Sequence, residues 1–78
     1  MKTTRYFDAT RGRPDRVRIE DEWILRAMER PDHEHVQGDG RVRRWVRIQE
    51  AGNRYLRVVL LPDRETVHNA FFDRGFRP

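Results

Sequence analysis

The sequence contains no cysteine, only one lysine and no long apolar run. Without cysteine the chain has no disulfide framework, no thiolate chemistry and no cysteine-ligated metal. Because a signal peptide or a membrane span needs a longer apolar run than any found here, we expect a soluble cytoplasmic protein. A Gly-rich phosphate loop, a paired-histidine metal helix and a nucleophile elbow are also absent, so we expect no cofactor.

The residues that are abundant are charged, and the positive ones are almost all arginine. Charged residues make up 38% of the 78-residue chain, and Lys2 is the only lysine among 17 basic residues. Arginine is preferred where planar, bidentate contact with phosphate or carboxylate matters. Two kinds of partner fit the net charge of +4: a nucleic acid, or an acidic protein. A genome rich in G and C would favour arginine codons too, so composition alone does not choose between these causes.

Three successive antiparallel strands are predicted over Arg41–Ile48, Tyr55–Leu61 and Thr66–Phe72. Glycine and asparagine between the first two supply the positive φ that a hairpin needs, and Pro62 closes the second strand because it has no amide to donate. A further strand over Asp32–Gln37 precedes these, and the Gly38-Asp39-Gly40 sequence is a strong signal for a hairpin into Arg41.

One helix is predicted, over Asp21–Arg30, with an apolar stripe and with acidic residues at its N-terminal end. Pro31 ends it. Thr4–Ala9, which carries Tyr6 and Phe7, is predicted as a short strand at the sheet edge. The expected fold is therefore a single α+β domain over residues 1–78, with a single helix packed on a four-stranded antiparallel sheet.

Alternation along the strands sorts their side chains into two faces. One is a core face, which collects Val42, Val46, Ile48, Leu56, Val58, Leu60, Val67 and Phe71. The other interleaves arginine with aromatic rings, as a nucleic-acid platform requires, because guanidinium groups bind phosphates and rings stack on bases. Its candidate nucleic-acid-binding residues are Arg41, Arg43, Trp45, Arg47, Tyr55, Arg57 and Phe72. The alternative is a twisted sheet whose arginine stems merely cover the aromatics.

His68 is predicted to lie on this second face, beside Arg43 and Arg57. RNA cleavage without a metal needs a group that takes the 2′-hydroxyl proton, cations that offset the charge of the phosphorane, and rings that hold the base. We therefore take His68, Arg57 and Arg43 as candidate catalytic residues, with Trp45 or Tyr55 holding the base. The alternative is a histidine that hydrogen-bonds within the sheet.

Some polar residues do not fit the alternation. Arg44 falls on the core face, where it must pair with an acid such as Glu22 or Glu29, lie beyond the cover of the helix, or mark a bulge. Asn69 raises the same question, and its amide is expected to bond backbone groups. Asp73-Arg74 is expected to form an internal ion pair or a clasp for the tail. His33-x-His35 has a spacing that can bind metal, but the sequence places no third ligand beside it.

Several segments together resemble a known family. They are the helix ending in Pro31-Asp32, the run Asp39-Gly40-Arg41 followed by Arg43-Arg44-Trp45, the strand Tyr55–Val59 and the run Thr66–Asp73. In this layout the chain is similar to small bacterial proteins of unassigned function, and to BrnT-like members of the RelE/ParE toxin superfamily. Those toxins usually have a helical hairpin at the N-terminus, whereas one helix is predicted here.

The resemblance implies a toxin that cleaves RNA, including ribosome-bound message, and is neutralised by a cognate antitoxin. It also implies that the basic and catalytic residues lie on the sheet face opposite the helices, which by position are Arg43, Arg57 and His68. We therefore expect a metal-independent endoribonuclease. The alternative is a non-catalytic module whose basic face binds an acidic protein or a nucleic acid. A second copy of the chain is a further candidate partner.

Overall fold

The computed structural model describes all residues, 1–78, and contains two helices and five strands. Strand β1 is followed by helices α1 and α2, and strands β2 to β5 come after both helices. The bounds are β1 Lys2–Thr3, α1 Arg5–Thr10, α2 Asp21–Glu29, β2 His33–Val36, β3 Val42–Ile48, β4 Arg54–Leu60 and β5 Thr66–Phe72. The α+β class is confirmed, but the prediction of a single helix on a four-stranded antiparallel sheet is wrong.

The sheet has the order β1-β5-β4-β3-β2 and is mixed. Strands β2 to β5 pair antiparallel with their neighbours, as predicted, while β1 runs parallel to β5. Lys2 pairs with Thr66, and Thr3 pairs with Val67. A parallel neighbour requires a crossover connection. Here that connection comprises both helices and the three other strands.

Helix α1 replaces the edge strand that was predicted over Thr4–Ala9. Thr4 caps it, because the Thr4 Oγ1 accepts the amide of Phe7 at 3.1 Å. Phe7 and Thr10, three residues apart, are both buried on one side of the helix. The aromatic pair Tyr6-Phe7 favours a strand on propensity, but a helix directs only the second ring into the core.

Helix α2 is confirmed almost to the residue. Glu20 is its N-cap position, and Arg30 follows its last turn. Trp23, Ile24 and Ala27 are buried against the sheet, with Ile19 beside them. The helix is tied to the β3–β4 turn, because Arg26 binds Glu50 at 2.5 Å and lowers the pKa of that carboxyl to about 2.

The turns carry the backbone signals expected of them. Gly52 and Asn53, between β3 and β4, have φ values of 75° and 61°. Gly40, before β3, has a φ of 90°, and a Cβ built on it would lie 3.2 Å from Pro62 Cγ. The β2–β3 and β4–β5 turns thus approach each other at one end of the sheet, and a side chain at position 40 would be strained.

The core lies between the helices and one face of the sheet. It consists of Phe7, Ile19, Trp23, Ile24, Ala27, Val42, Val46, Ile48, Leu56, Val58, Leu60, Val67 and Ala70, with Met28, Ala51 and Phe72 packed against it. The β3 and β4 members are those predicted for the core face. We call the opposite side of the sheet the open face. No helix in the structure has the length and apolar character needed to cross a membrane.

Arg44 lies on the core face and is satisfied there without a bulge in β3. Its Nε binds Glu34 at 2.8 Å, and its NH1 donates to the Met28 carbonyl oxygen at 2.7 Å. The expectation of an acidic partner is confirmed, but that partner is on β2 and not on α2. The bond to Met28 satisfies one of the carbonyl groups that the end of α2 leaves unpaired.

Candidate nucleic-acid interface

The open face is built by the β3–β4 pair. Arg43, Trp45 and Arg47 alternate with the core residues of β3 and point to the open face. They lie opposite Val59, Arg57 and Tyr55 of β4 in the strand register. Directly opposed residues share a face, so the predicted interleaving of arginine and aromatic rings is present on the open face.

A basic pocket of about 380 Å³ lies on this face. Its lining comprises Tyr6, Gln37, Arg41, Arg43, Arg57, Val59, His68, Asn69 and Phe71. The three candidate catalytic residues, Arg43, Arg57 and His68, therefore come together in one pocket. No carboxylate lines it, so the pocket offers a site for an anion.

A bulge in β5 determines what this strand contributes. Leu60 pairs with Val67 and Val59 pairs with Asn69, which leaves His68 as the extra residue. After the bulge the alternation is reversed: Ala70 faces the core, Phe71 lines the basic pocket, and Phe72 packs against the core. The predicted faces of the two phenylalanines were therefore the wrong way round.

Phe72 is accordingly removed from the open-face platform. Its ring meets Trp23 edge-on, with centroids 6.1 Å apart, and the guanidinium carbon of Arg54 lies 3.9 Å from its centroid. The prediction that Phe72 binds nucleic acid from the open face is wrong. Phe71, which was assigned to the core, takes that place, with the guanidinium of Arg57 4.6 Å from its ring.

His68 is held by two residues at the start of the chain. Its Nδ1 lies 3.0 Å from Thr4 Oγ1, and its ring stacks on Tyr6 with centroids 5.0 Å apart. Burial, and then the positive charge of Arg41, lower the pKa of His68, so its ring is neutral near pH 7. Since Thr4 engages Nδ1, Nε2 is the nitrogen left to meet a bound substrate.

Arg57 is only 20% exposed and lies near Arg43 and Asp73. Its Nε is 3.3 Å from Asp73 Oδ2, but the geometry is not that of a hydrogen bond, and this buried nitrogen has no partner. Burial lowers the pKa of Arg57 most, Asp73 opposes the shift, and Arg43 adds to it. Arginine remains charged throughout the physiological range, so Arg57 keeps its charge in an environment that favours binding an anion.

Trp45 does not offer the open stacking surface that was predicted. It is only 7% exposed, because Phe76 stacks on it with centroids 4.5 Å apart and planes 15° apart. Its Nε1 donates to Asp73 Oδ2 at 3.0 Å. The ring of Phe76 also lies 5.1 Å from Tyr55 and 5.2 Å from His33. We call these four rings the aromatic cluster.

The C-terminal tail therefore forms the clasp expected at Asp73-Arg74. Asp73 receives the Trp45 indole on one oxygen and the Gly75 amide, at 3.1 Å, on the other. This turn returns Phe76 over the sheet. Tyr55, which was predicted to bind nucleic acid, is half-buried and meets the same Phe76 ring edge-on, so this ring reduces the surface that Tyr55 offers to a base.

The remaining predicted residues are distributed around this centre. Arg41 lines the basic pocket and lies 3.5 Å from Asp39. Arg47 is exposed and lies outside the pocket, with its backbone amide bonded to Asp32. Asn69 bonds a backbone group, as expected: its Oδ1 accepts from the Ala70 amide at 3.0 Å, and it also accepts from the loop residue Arg16 at 2.8 Å.

Besides Val59, sequence reasoning missed four polar or aromatic residues that line the basic pocket: Tyr6, Gln37, Asn69 and Phe71. Asn69 and Phe71 were missed because no sequence pattern predicts the bulge at His68, which turns both residues to the open face. Tyr6 reaches the pocket from α1, whose position beside β5 depends on tertiary packing. Gln37 lies just beyond β2, and its backbone N–H donates to the Arg41 carbonyl oxygen at 2.8 Å.

The two spaced histidines of β2 acquire no further metal ligand, since no group of three or more His, Cys, Asp or Glu residues is placed to hold a metal ion. His33 belongs instead to the aromatic cluster, and His35 lies opposite Arg43 in the register. Comparison of the chain with protein-family models, with curated proteins and with solved structures finds no match.

Proposed function

We propose that this domain binds single-stranded RNA in the basic pocket and cleaves it without a metal ion, as an endoribonuclease-type toxin of RelE/BrnT-like character. The observation that carries the proposal is the lining of that pocket. Arg43, Arg57 and His68 converge on a cavity without a carboxylate. Such a site attracts a phosphate and holds a neutral imidazole beside it.

The chemistry assigned to the pocket is transfer of the phosphate within the RNA strand. His68 Nε2 takes the proton of the 2′-hydroxyl, whose oxygen attacks the adjacent phosphorus as the bond to the 5′-oxygen breaks. The leaving oxygen takes a proton from water, the resulting hydroxide takes the proton held on His68 Nε2, and the products end in a 2′,3′-cyclic phosphate and a 5′-hydroxyl. Arg43 and Arg57 stabilise the extra negative charge of the phosphorane.

The contact between Thr4 and His68 has a specific role in this scheme. For Nε2 to accept a proton, the hydrogen of the neutral ring must be on Nδ1 and be donated to Thr4 Oγ1, which lies 3.0 Å away. Thr4 also caps α1, so the helix fixes the orientation of the imidazole. The lowered pKa keeps the ring available as a base near neutral pH.

The layout of the chain supports the toxin-like assignment. Two helices, α1 and α2, precede the meander, where one was expected. The basic pocket lies on the open face, as the resemblance implies for catalytic residues. On this proposal the partner that neutralises the protein is an antitoxin that covers the basic pocket.

A second candidate function is favoured by the state of the aromatic cluster. Phe76 covers Trp45, and Asp73 lies against Arg57, so part of the platform is already engaged by the chain itself. A non-catalytic module could bind RNA or an acidic protein through Arg41, Arg43 and the exposed Arg47. Such binding does not require an uncovered Trp45 or an Arg57 without its acidic neighbour.

The two functions are separated by a cleavage assay with purified protein, RNA and a chelator. We expect the wild type to yield cyclic-phosphate ends, and His68→Ala to lower the rate by about 10²–10⁴-fold. His35→Ala is the matched control, since His35 lies on the same face outside the pocket. Equal rates for wild type and His68→Ala would remove His68 from the mechanism. RNA binding without cleavage would favour the non-catalytic module.

The toxin assignment is tested in growing cells. Induction of the wild type should arrest growth, and co-expression of a neighbouring antitoxin-like gene should relieve the arrest. His68→Ala should be tolerated at the same protein level. Growth arrest that persists in His68→Ala would separate toxicity from the proposed chemistry.

A further inference from the structure

A second basic cavity lies beside the basic pocket, and none of the residues predicted to be catalytic lines it. This arginine groove has a volume of about 570 Å³ and is open to solvent at the end of the sheet. Its lining consists of Pro14, Asp15, Arg16, Arg18, Ile19, Arg54, Phe71, Phe72 and Arg74. Four of these nine residues are arginines, and one is acidic.

The arginines of the groove have few acidic partners. Arg18, Arg54 and Arg74 form no ion pair in the structure. Arg16 is 14% exposed, and its buried Nε has no hydrogen-bond partner, although Asp15 lies 3.7 Å from it. Positive charges gathered without counter-charges repel one another, and a bound polyanion relieves that repulsion.

The arginine groove and the basic pocket are adjacent. Phe71 lines both cavities. Arg16 lines the groove and donates to Asn69 Oδ1, which lines the pocket, while its guanidinium lies 5.5 Å from the Phe71 ring centroid. A chain-like ligand that occupies both cavities would therefore pass over Phe71, and Asp15 is the only acidic residue that lines either cavity.

We propose that the arginine groove binds the phosphate backbone of the RNA strand held in the basic pocket, on the nucleotides next to the reacting one. This inference rests on the proposed RNA binding. Arginine forks match phosphate oxygens, and Phe71, which lines both cavities, gives a base one ring to contact between them. A single-stranded RNA has one phosphate per nucleotide and a base that can contact Phe71, so it fits this set of residues better than an acidic peptide, which has no rings.

Arg18→Ala plus Arg74→Ala is the variant that tests the groove. Both side chains are exposed and make no hydrogen bond or ion pair, so the fold should persist, which a thermal melt checks. The matched control is Arg5→Ala plus Arg30→Ala, which removes the same charge from exposed positions outside both cavities that also form no ion pair. Arg41→Ala plus Arg43→Ala tests the pocket.

The probes are oligouridylates of about 4 and about 16 nucleotides, titrated at several salt concentrations. We expect the groove variant to bind the short oligomer like the control and the long one about tenfold or more weakly. Its plot of log affinity against log salt should be shallower by about 1.4, because two phosphate contacts are lost. The pocket variant should bind both oligomers weakly.

Three outcomes overturn the inference. If the groove variant binds the long oligomer as tightly as the control does, the proposal that the groove binds RNA is wrong, while the proposal for the basic pocket is unaffected. Failure of the wild type to bind either oligomer at low salt overturns both proposals. If polyglutamate displaces the long oligomer from the groove with an affinity equal to that of RNA, an acidic protein segment is the occupant and the RNA assignment is wrong.

Discussion

The indole of Trp45 and the ring of Phe76 lie face to face, with centroids 4.5 Å apart and planes 15° apart. This is the geometry in which an aromatic side chain holds a nucleobase. Here the stacking partner comes from the chain's own tail, held by Asp73. The tail therefore both completes the packing of the open face and occupies its best stacking surface, and the two effects can be separated by mutation.

Phe76→Ala should uncover Trp45. We expect the protein to lose about 1–2 kcal/mol of stability with the aromatic contacts, and Trp45 to become more accessible to a fluorescence quencher. Trp23, the other tryptophan, is buried in the core and should contribute little to the change. Under the RNA-binding proposal, affinity for single-stranded RNA should rise, because a base can replace the ring. Arg77→Ala is the control in the same tail, and equal quenching in both variants would contradict the shielding role.

Trp23→Ala should destabilise the domain by about 3–5 kcal/mol, which is a large part of the stability of so small a protein. Trp23 joins α2 to the sheet and meets Phe72. Leu25→Ala, in the same helix but exposed, is the control and should change little. Chemical denaturation measures both, and a midpoint for Trp23→Ala within error of the wild type would contradict the packing of α2.

Arg44→Ala should cost about 1–3 kcal/mol, because it leaves the Met28 carbonyl and Glu34 without their partner. Arg47 is also on β3 but lies exposed on the open face, so Arg47→Ala should cost much less. Glu34→Gln should have a small effect, since Glu34 is more than one-third exposed and surface pairs contribute little. If Arg44→Ala costs no more than Arg47→Ala, the bond to the end of α2 does not contribute to stability.

Most, but not all, of the helices and strands could be predicted from the sequence. Strands β2 to β5 and helix α2 could be predicted because short-range rules determine them: alternation, helical spacing, glycine at positive φ and proline at an end. Helix α1 could not, because six residues do not form a helix on their own propensity. It is stabilised by the Thr4 cap and by Phe7 in the core.

The candidate site was predicted in the same partial way. Arg43 and Arg57 are on adjacent strands in a register set by the hairpin, so alternation alone brings them together. Phe71 and Phe72 were exchanged because the bulge at His68 adds one residue, and a shift of one residue reverses a face. The cover of Trp45 depends on Phe76, which is distant in sequence and carries no local signal.

The stability of the protein should depend on pH through His68. The pKa of this ring is lowered from 6.5 by burial and then by Arg41. Since the folded state binds the proton less tightly than the unfolded chain, the contribution to stability is present above about pH 6.5 and is lost as the pH falls through the folded pKa. In His68→Gln this part of the pH dependence should vanish, and in His35→Gln it should remain. An NMR titration of His68 with a midpoint at or above 6.5 would contradict the effect of burial.

Arg57→Lys tests whether the guanidinium fork, and not its charge, is what the basic pocket needs. Lysine keeps the positive charge but cannot present two parallel donors to a phosphate. Its ammonium, placed beside the Asp73 carboxylate, would also bind that carboxylate as a point charge. We therefore expect RNA cleavage to fall at least tenfold, while the salt dependence of RNA binding changes little.

Arg47→Lys is the matched control, because Arg47 is on the same face, exposed and outside the pocket. The single-turnover cleavage rate separates chemistry from binding. A rate for Arg57→Lys equal to that of the control would mean that a point charge at position 57 is sufficient. Arg57 would then serve to attract the strand, and stabilisation of the phosphorane would fall to Arg43, whose replacement by lysine should in that case give the larger loss.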